Sequence, residues 1–294
     1  MVTLMRNRFP SPAVCLSALL GVLCFSLPQA VGDDLEGLNL PTYRDRDGFG
    51  LGITTYSLQT EANLLDGEAP EHAIELAGLL QAPKGEDVLC FSTTMVVKSA
   101  EDAKGRDLLL PQRKRNSDKS YLALVPSLTY KDKRGDPLKL CLSELDSIAL
   151  NRPGTEVDEL VVAATALIVK KRQTEEIPAE VTGRYVGIGL GTSVQVSSIE
   201  ADKKRVMTVK LTVKHAGTKD LPVIEAVYAL DQRGKKLGGG RWANELELFS
   251  KRYEVELVFP LTGDEKSIAQ FEIVLATKYE VQEIEFTIED LFKR

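Results

Sequence analysis

Met207-Thr208-Val209-Lys210-Leu211-Thr212-Val213-Lys214 alternates apolar and polar side chains without a break. Successive side chains of an extended chain point to opposite faces, so this period of two is that of a strand with one buried and one wet face. Tyr253, Val255, Leu257 and Phe259 alternate with Glu254, Glu256 and Val258 in nearly the same way. Two further strands are expected downstream, one carrying Phe271, Ile273 and Leu275 and the other Ile284, Phe286 and Ile288. Strands near Ile224–Leu230 and Leu246–Leu248 complete the set. The spacing predicts an all-β fold built as an antiparallel sandwich.

Turn chemistry supports that reading. Asp102-Ala103-Lys104-Gly105, Asp132-Lys133-Arg134-Gly135 and Asp231-Gln232-Arg233-Gly234 share the form Asp-x-Lys/Arg-Gly, each with leucine three residues after the glycine. Asp in the first position can bond its own backbone and Gly in the fourth accepts positive φ, which suits a tight hairpin tip. A cation loop would need further oxygen ligands at regular spacing, and these turns lack them. Asp45, Asp47 and Gly48 look like half a calcium loop, but the missing acidic ligand favours a flexible linker, and no metal is expected.

Gly-x-Gly-Leu-Gly occurs twice, at Gly48–Gly52 and Gly187–Gly191, and each copy is followed by Glu-Ala at the same distance, Glu61-Ala62 and Glu200-Ala201. A repeat of motif and spacing points to an internal duplication and two tandem β-sandwich domains. It also resolves ambiguous stretches. His72–Gln81 has apolar residues that could suit a helix, yet it occupies the place of Val206–Lys214 and is expected to be a strand. Leu160–Val169, almost continuously apolar, corresponds to Ile268–Ala276. From turn aspartate to the next Gly-Thr or Thr-Gly corner, the first copy (Asp102–Gly154) is twenty residues longer than the second (Asp231–Gly263). That excess is about one hairpin, placed around 106–140. The expected organisation is a signal peptide at 1–32, an extension at 33–47, a first sandwich at 48–178, a linker at 179–186 and a second sandwich at 187–294.

In its strand periodicity, tight Asp-Gly turns and exported character, the stretch Tyr43–Arg294 resembles tandem immunoglobulin-like or fibronectin-type modules of secreted bacterial proteins. The Cys-Trp-Cys signature of true immunoglobulin domains is missing. What the resemblance implies is an Ig-like sandwich with a binding, adhesion or scaffolding role in the envelope or outside the cell.

The exported character rests on the N-terminus. Arg6 and Arg8 precede an apolar stretch from Ala13 to Leu27, and Ala30-Val31-Gly32 supplies the small residues of a cleavage site. The apolar stretch is about fifteen residues, short of the roughly twenty that span a bilayer. Cleavage after Ala30 or Gly32 is therefore expected over retention as an anchor, with no stable membrane insertion afterwards and a secreted or periplasmic mature chain. Loss of Arg6 and Arg8 takes the formal charge from -6 to -8. Such a mildly acidic, well-mixed composition argues against nucleic acid as a partner.

Cleavage also removes Cys15 and Cys24, leaving Cys90 and Cys141. In an oxidising compartment two such cysteines invite a disulfide, which closing some fifty residues would make worth about 4 kcal/mol. Parity complicates this, because around Val88–Val97 the apolar face is Leu89, Phe91, Met95 and Val97, and around Cys141 it is Leu138, Leu140 and Leu142. Both cysteines then fall on the other face, and bonded and unbonded states both stay open.

Candidate contacts for a partner gather at two places. The extra hairpin is flanked by Arg113-Lys114-Arg115 and contains Tyr121 and Tyr130. The corresponding place in the second copy holds Gly238-Gly239-Gly240-Arg241-Trp242, the only tryptophan of the chain beside a glycine run. Against these stand the plainer readings of a solvated hairpin tip and a tryptophan plugging the sandwich. Catalytic constellations are scarce. His72 and His215 are the only histidines, no nucleophile motif accompanies them, and the glycine motifs miss the third glycine of a dinucleotide loop. Glu254 with Glu256 and Glu283 with Glu285 read as the wet faces of strands, with Lys210 and Lys214 as cross-strand partners. The expectation is a non-enzymatic, cofactor-free protein that binds or spaces an extracytoplasmic protein or polysaccharide. A carbohydrate-binding accessory role and a carboxylate-based hydrolase are the alternatives.

Overall fold

The computed structural model describes residue 35 and residues 40–61, 71–109, 123–126, 128–131, 137–150, 157–201, 206–216, 221–241, 246–247, 252–262 and 265–289. Among these the architecture is all-β, with no α-helix. The first half holds β1 (Thr42–Arg44), β2 (Gly50–Glu61), β3 (Glu71–Gln81), β4 (Val88–Ser92), β5 (Thr94–Glu101), β6 (Ala123–Pro126), β7 (Leu128–Lys131), β8 (Pro137–Leu150) and β9 (Glu159–Pro178). After a 3₁₀ turn at Ala179–Val181 come β10 (Tyr185–Gly187), β11 (Thr192–Ala201), β12 (Val206–His215), β13 (Val223–Leu230), β14 (Lys236–Arg241), β15 (Leu246–Glu247), β16 (Arg252–Pro260) and β17 (Gln270–Glu289).

Two outer sheets face one shared sheet. β1-β2-β3-β8 is the outer sheet of the first half and β10-β11-β12-β16 that of the second. The shared sheet runs β5-β9-β17-β13-β14, with β4 beside β9 just ahead of β5, β6 on β4 and β15 on β6. A short parallel contact, Thr94 with Glu144 and Met95 with Leu145, joins β5 to β8.

At the centre β9 and β17, twenty residues each, pair antiparallel along their whole length, from Glu159 opposite Glu289 to Pro178 opposite Gln270. Each serves both cores. Leu160, Val162 and Ala164 of β9 join Phe49, Leu51, Ile74 and Leu80 in the first core, and so do Ile284, Phe286 and Ile288 from the far end of β17. The second core takes Phe271, Ile273 and Leu275 from the start of β17, Val209, Leu211 and Leu257 from the outer sheet, and Leu167, Val169 and Ile177 from β9. The stretch 179–186, expected to be a linker, holds the 3₁₀ turn and the start of β10, and β17 returns to the first core.

One expectation is corrected here. The segments carrying Phe271–Leu275 and Ile284–Ile288 are one strand. Their change from odd to even numbering is taken up by register irregularities between Ala276 and Tyr279, and Thr277–Glu283 contains no glycine or proline to turn the chain. The apolar run Leu160–Val169 has a physical reason as well. Leu160, Val162, Ala164, Ala166 and Ile168 go to the first core and Leu167 and Val169 to the second, so the end of the run is covered on both faces, and so is β4, where Val88 and Phe91 go to the first core and Leu89 and Cys90 to the second.

The hairpin tips are built as their sequences require. Asp102 Oδ1 accepts from the N–H groups of Lys104 (2.9 Å) and Arg106 (3.0 Å), and Gly105 sits at φ +68°. Asp231 does the same for Arg233 (2.8 Å) and Lys235 (2.9 Å), with Gly234 at φ +73°. Asp45, expected in a flexible linker, makes a third such tip: it accepts from Asp47 (2.9 Å) and Phe49 (2.7 Å), with Gly48 at φ +87°. The aspartate at its third position hid the match. The tip at Asp132 lies outside the described residues, although β7 and β8 pair on either side of it.

The halves match in backbone more closely than in motif. β5 and β13 each have eight residues ahead of an aspartate turn. The pairing β2–β3 bulges after Ile53 and β11–β12 after Val196, positions 143 apart, whereas the glycine motifs are 139 apart. The motifs therefore do different work in the two first hairpins. Gly50 and Gly52 lie in β2, where added Cβ atoms would come within 3.1 and 3.3 Å of the buried Leu35, and Leu51 is fully buried. Leu190 instead stands at the β10–β11 tip with φ +51° and 56% exposure.

The run Gly238–Gly240, expected to be flexible, is strand β14. A Cβ on Gly238 would lie 2.6 Å from the Pro260 carbonyl oxygen, and one on Gly239 would lie 2.1 Å from the Tyr228 ring. Glycine is required there by close approach. Gly239→Ala is expected to cost about 2 kcal/mol in urea unfolding through overpacking, and close to nothing when Tyr228 is already alanine. Equal costs in both backgrounds would contradict the clash. Phe286→Ala is expected to cost about 4 kcal/mol, and a loss below about 1 kcal/mol would show that the end of β17 does not fill the first core.

Candidate functional site: a charged seam between the halves

Where the shared sheet passes from one core to the other, β9 leaves its apolar run at an irregularity in its pairing with β17, and Lys170 and Arg172 both reach acids of one turn. The turn at Pro83–Gly85, with Gly85 at φ +88°, delivers Glu86 and Asp87 opposite them. Lys170 lies 3.9 Å from Glu86 and 3.7 Å from Glu280 of β17. Arg172 donates to Asp87, and through Nε (2.5 Å) and Nη2 (3.3 Å) to both carboxylate oxygens of Glu225.

Glu225 is the buried anchor of this seam. Its side chain is only 6% exposed and also accepts from Arg241 Nη2 at 3.1 Å. A bulge between Ile224 and Ala226 in the β13–β17 pairing interrupts the alternation at this residue. A buried carboxylate is tolerated when it is paired and hydrogen-bonded, and two guanidinium groups meet that condition. On the first-half side Lys139 of β8 donates to Asp87 Oδ1 and to the Val88 carbonyl, both at 2.8 Å. The chain Lys139–Asp87–Arg172–Glu225–Arg241 thus laces β8, β9, β13 and β14.

Beside it opens a groove of about 530 Å³. Buried Phe49 and Ile168 line its apolar part, and Arg46, Asp47, Glu86, Lys170, Glu280, Gln282 and Glu283 its polar part. Gln282 Nε2 donates to Asp47 Oδ2 at 2.7 Å, tying the first hairpin tip to β17. Glu283 pairs with Lys98 at 2.8 Å. The groove is therefore walled by the first hairpin, the 83–87 turn and both long strands.

The electrostatics keep Asp87 and Arg172 ionised. The Arg172 guanidinium beside Asp87 holds that carboxyl well below the usual range, with Lys139 adding to the effect, and Asp87 in turn raises Arg172. Exposed charges of both signs that satisfy one another can exchange those contacts for a partner's charges. The arrangement suits electrostatic recognition of a mixed-charge surface.

The residues expected to meet a partner are distributed as follows. Arg113, Lys114, Arg115, Tyr121 and Trp242 lie outside the described residues. Tyr130 is in β7, its backbone paired with Leu138. Arg241 closes β14 and is turned onto Glu225. Cys90 and Cys141 stand as unbonded thiols, and both are buried, contrary to the parity reading. β4 is covered on both faces, and Cys141 faces the first core. The inserted segment does reach the second half, since β6 pairs with β15 through Leu124 with Leu246 and Ala123 with Glu247.

Of the expected cross-strand pairs, Lys210 reaches Glu256 at 3.6 Å. Lys214 is opposite Arg252 and lies over the Tyr185 ring at 3.8 Å instead. His215 is buried against Tyr253, its Nδ1 2.9 Å from Thr192 Oγ1, and burial lowers its pKa. Sequence reasoning missed Asp87, Arg172 and Glu225. The available signal was Glu225 itself, a lone acid within the apolar run Leu221–Leu230.

No family model matches the chain, and neither a curated protein nor a solved structure does.

Because the folded pKa of Asp87 is depressed, its contribution to stability is present above its unfolded value near about 4 and is lost as pH falls below that. Asp87→Asn is expected to be less stable than the wild type at pH 7 and to show a shallower loss of stability below about pH 4. Parallel curves of unfolding free energy against pH would show that Asp87 carries no such linkage.

Proposed function

We propose that this chain is an exported, non-catalytic binding or scaffolding protein of the cell envelope or extracellular space, and that the groove beside the seam is its contact with an extracytoplasmic protein. The observation that carries the reading is the convergence on one groove of elements from the first hairpin, the 83–87 turn and both long strands, lined by exposed charges of both signs. A protein surface, itself of mixed charge, complements such a lining better than an uncharged polymer does. The matched strand lengths and bulges of the halves support descent from one duplicated immunoglobulin-like unit. In that reading the shared sheet makes the pair a stiff spacer in place of two beads on a linker.

The test compares the mature protein with Lys170→Glu, which reverses a positive charge lining the groove, and with Lys210→Glu on the outer sheet of the second half. Each is used to capture partners from envelope extract at low salt. A partner held by wild type and Lys210→Glu, lost with Lys170→Glu and weakened by added salt supports the proposal. Identical partners for all three proteins would remove the groove from consideration. Excising 113–138 is a poorer test, because it deletes β6 and β7 and with them their pairing to β4, β15 and β8.

A further inference from the structure

We infer that the β10–β11 tip is a peripheral anchor for an anionic phospholipid surface, with Leu190 entering the acyl region and Lys214 and Arg252 meeting the headgroups. A lone exposed leucine needs no explanation, but one in a left-handed backbone conformation does. Among the described residues Leu190 is the only non-glycine with positive φ (+51°), between Gly189 at φ +81° and Gly191 at φ +66°. Glycine or asparagine adopts that conformation with less strain. Burial does not compensate, since Leu190 is 56% exposed. The tip is also braced. The Ile188 N–H donates to the Thr192 carbonyl (2.9 Å), the Thr192 N–H to the Gly189 carbonyl (2.8 Å) and the Ala216 N–H to the Gly191 carbonyl (2.8 Å). Ile188 belongs to the second core, and Thr192 Oγ1 lies 2.9 Å from Nδ1 of the buried His215. A braced turn that holds a strained apolar side chain in water serves a contact outside the fold.

What stands behind the tip identifies the surface. Gly187, Ser193, Lys214 and Arg252 form one row across β10, β11, β12 and β16, and it is the first row behind the tip on the outward face. Lys214 and Arg252 are like charges set directly opposite each other, a pairing that a sheet disfavours and that an external anion offsets. In the next row Tyr185 is 37% exposed, with Lys214 Nζ 3.8 Å from its ring centre. The chain as a whole is acidic, with a formal charge of -6, so attraction to an anionic surface has to be local. An apolar tip backed by cations and an amphipathic ring has the composition of a membrane-surface anchor. A partner protein would need a pocket cut to one leucine, whereas acyl chains close around it whatever its shape. One apolar side chain and two cations are each too little alone, so the contact is reversible and requires anionic lipid. It makes no use of the groove.

The test is co-sedimentation of residues 33–294, so that the apolar stretch Ala13–Leu27 does not contribute, with two kinds of vesicle at low salt. One is made of equal parts phosphatidylglycerol and phosphatidylcholine, the other of phosphatidylcholine alone. The protein is expected to sediment with the first and not the second, and to be released by added salt. Leu190→Asn is expected to weaken binding about tenfold and yet to raise the melting midpoint, because the strain at the tip is relieved. Lys214→Glu is expected to weaken it by about tenfold as well, while Lys104→Glu, the same charge reversal at the Asp102 tip of the first half, leaves it unchanged. Absence of sedimentation with both vesicles, or equal sedimentation with both, would overturn the inference. So would equal losses in the two lysine variants, which would assign the binding to overall charge. A lower melting midpoint for Leu190→Asn would show that the leucine serves the fold and would likewise overturn it. If the tip contacts a protein instead, Leu190→Asn still gains stability but the wild type stays in the supernatant, and that result rejects the lipid surface.

Discussion

The pairing of β9 with β17 is the constraint on which the rest of the molecule depends. A twenty-residue strand is far longer than one sandwich needs, and each of these passes beyond its own half to cover the core of the other. The surplus is what joins the halves: neither core is closed until the last strand of the chain has been laid beside the last strand of the first half. Burial of Phe286 and Ile288 among residues more than a hundred positions away links the end of the sequence to the stability of its beginning. Such long-range closure is slow to form and cooperative once formed.

The charged seam follows from the same arrangement. Where a strand passes between two cores its side chains briefly have neither to enter, and polar residues must take over. Lys170 and Arg172 occupy that passage, and the carboxylates of Glu86, Asp87 and Glu225 are brought to them by a turn and a bulge. An ion-pair network there fixes how the halves sit, since a buried Glu225 deprived of its arginines would be an uncompensated charge. The groove alongside inherits that order, with its walls set by elements that cannot move independently.

Much of this was legible in the chain, for identifiable reasons. Alternation over Met207–Lys214 and Tyr253–Phe259 reports directly on one-sided burial, and the Asp-x-Lys/Arg-Gly tips carry their conformation in two residues. What escaped is what depends on partners distant in sequence. The continuous apolar run at Leu160–Val169 showed a strand but not that two cores claim it. The parity switch between Leu275 and Ile284 looked like a turn because nothing local distinguishes a bulge from one. Glu225 stands out as a lone acid in an apolar run, but nothing local to it points to Arg172 and Arg241, which pair with it. The twin glycine motifs, persuasive as letters, fall in different registers of their hairpins, one inside β2 and the other at the β10–β11 tip.

Hydrogen exchange by mass spectrometry across a urea series tests the shared sheet most directly. Peptides from β3, in the outer sheet of the first half, and from β12, in that of the second, report on the two cores separately. If β9 and β17 hold the halves as one cooperative body, both peptides lose protection at the same urea concentration. Loss at two well-separated concentrations, with one half still protected while the other exchanges freely, would contradict the account.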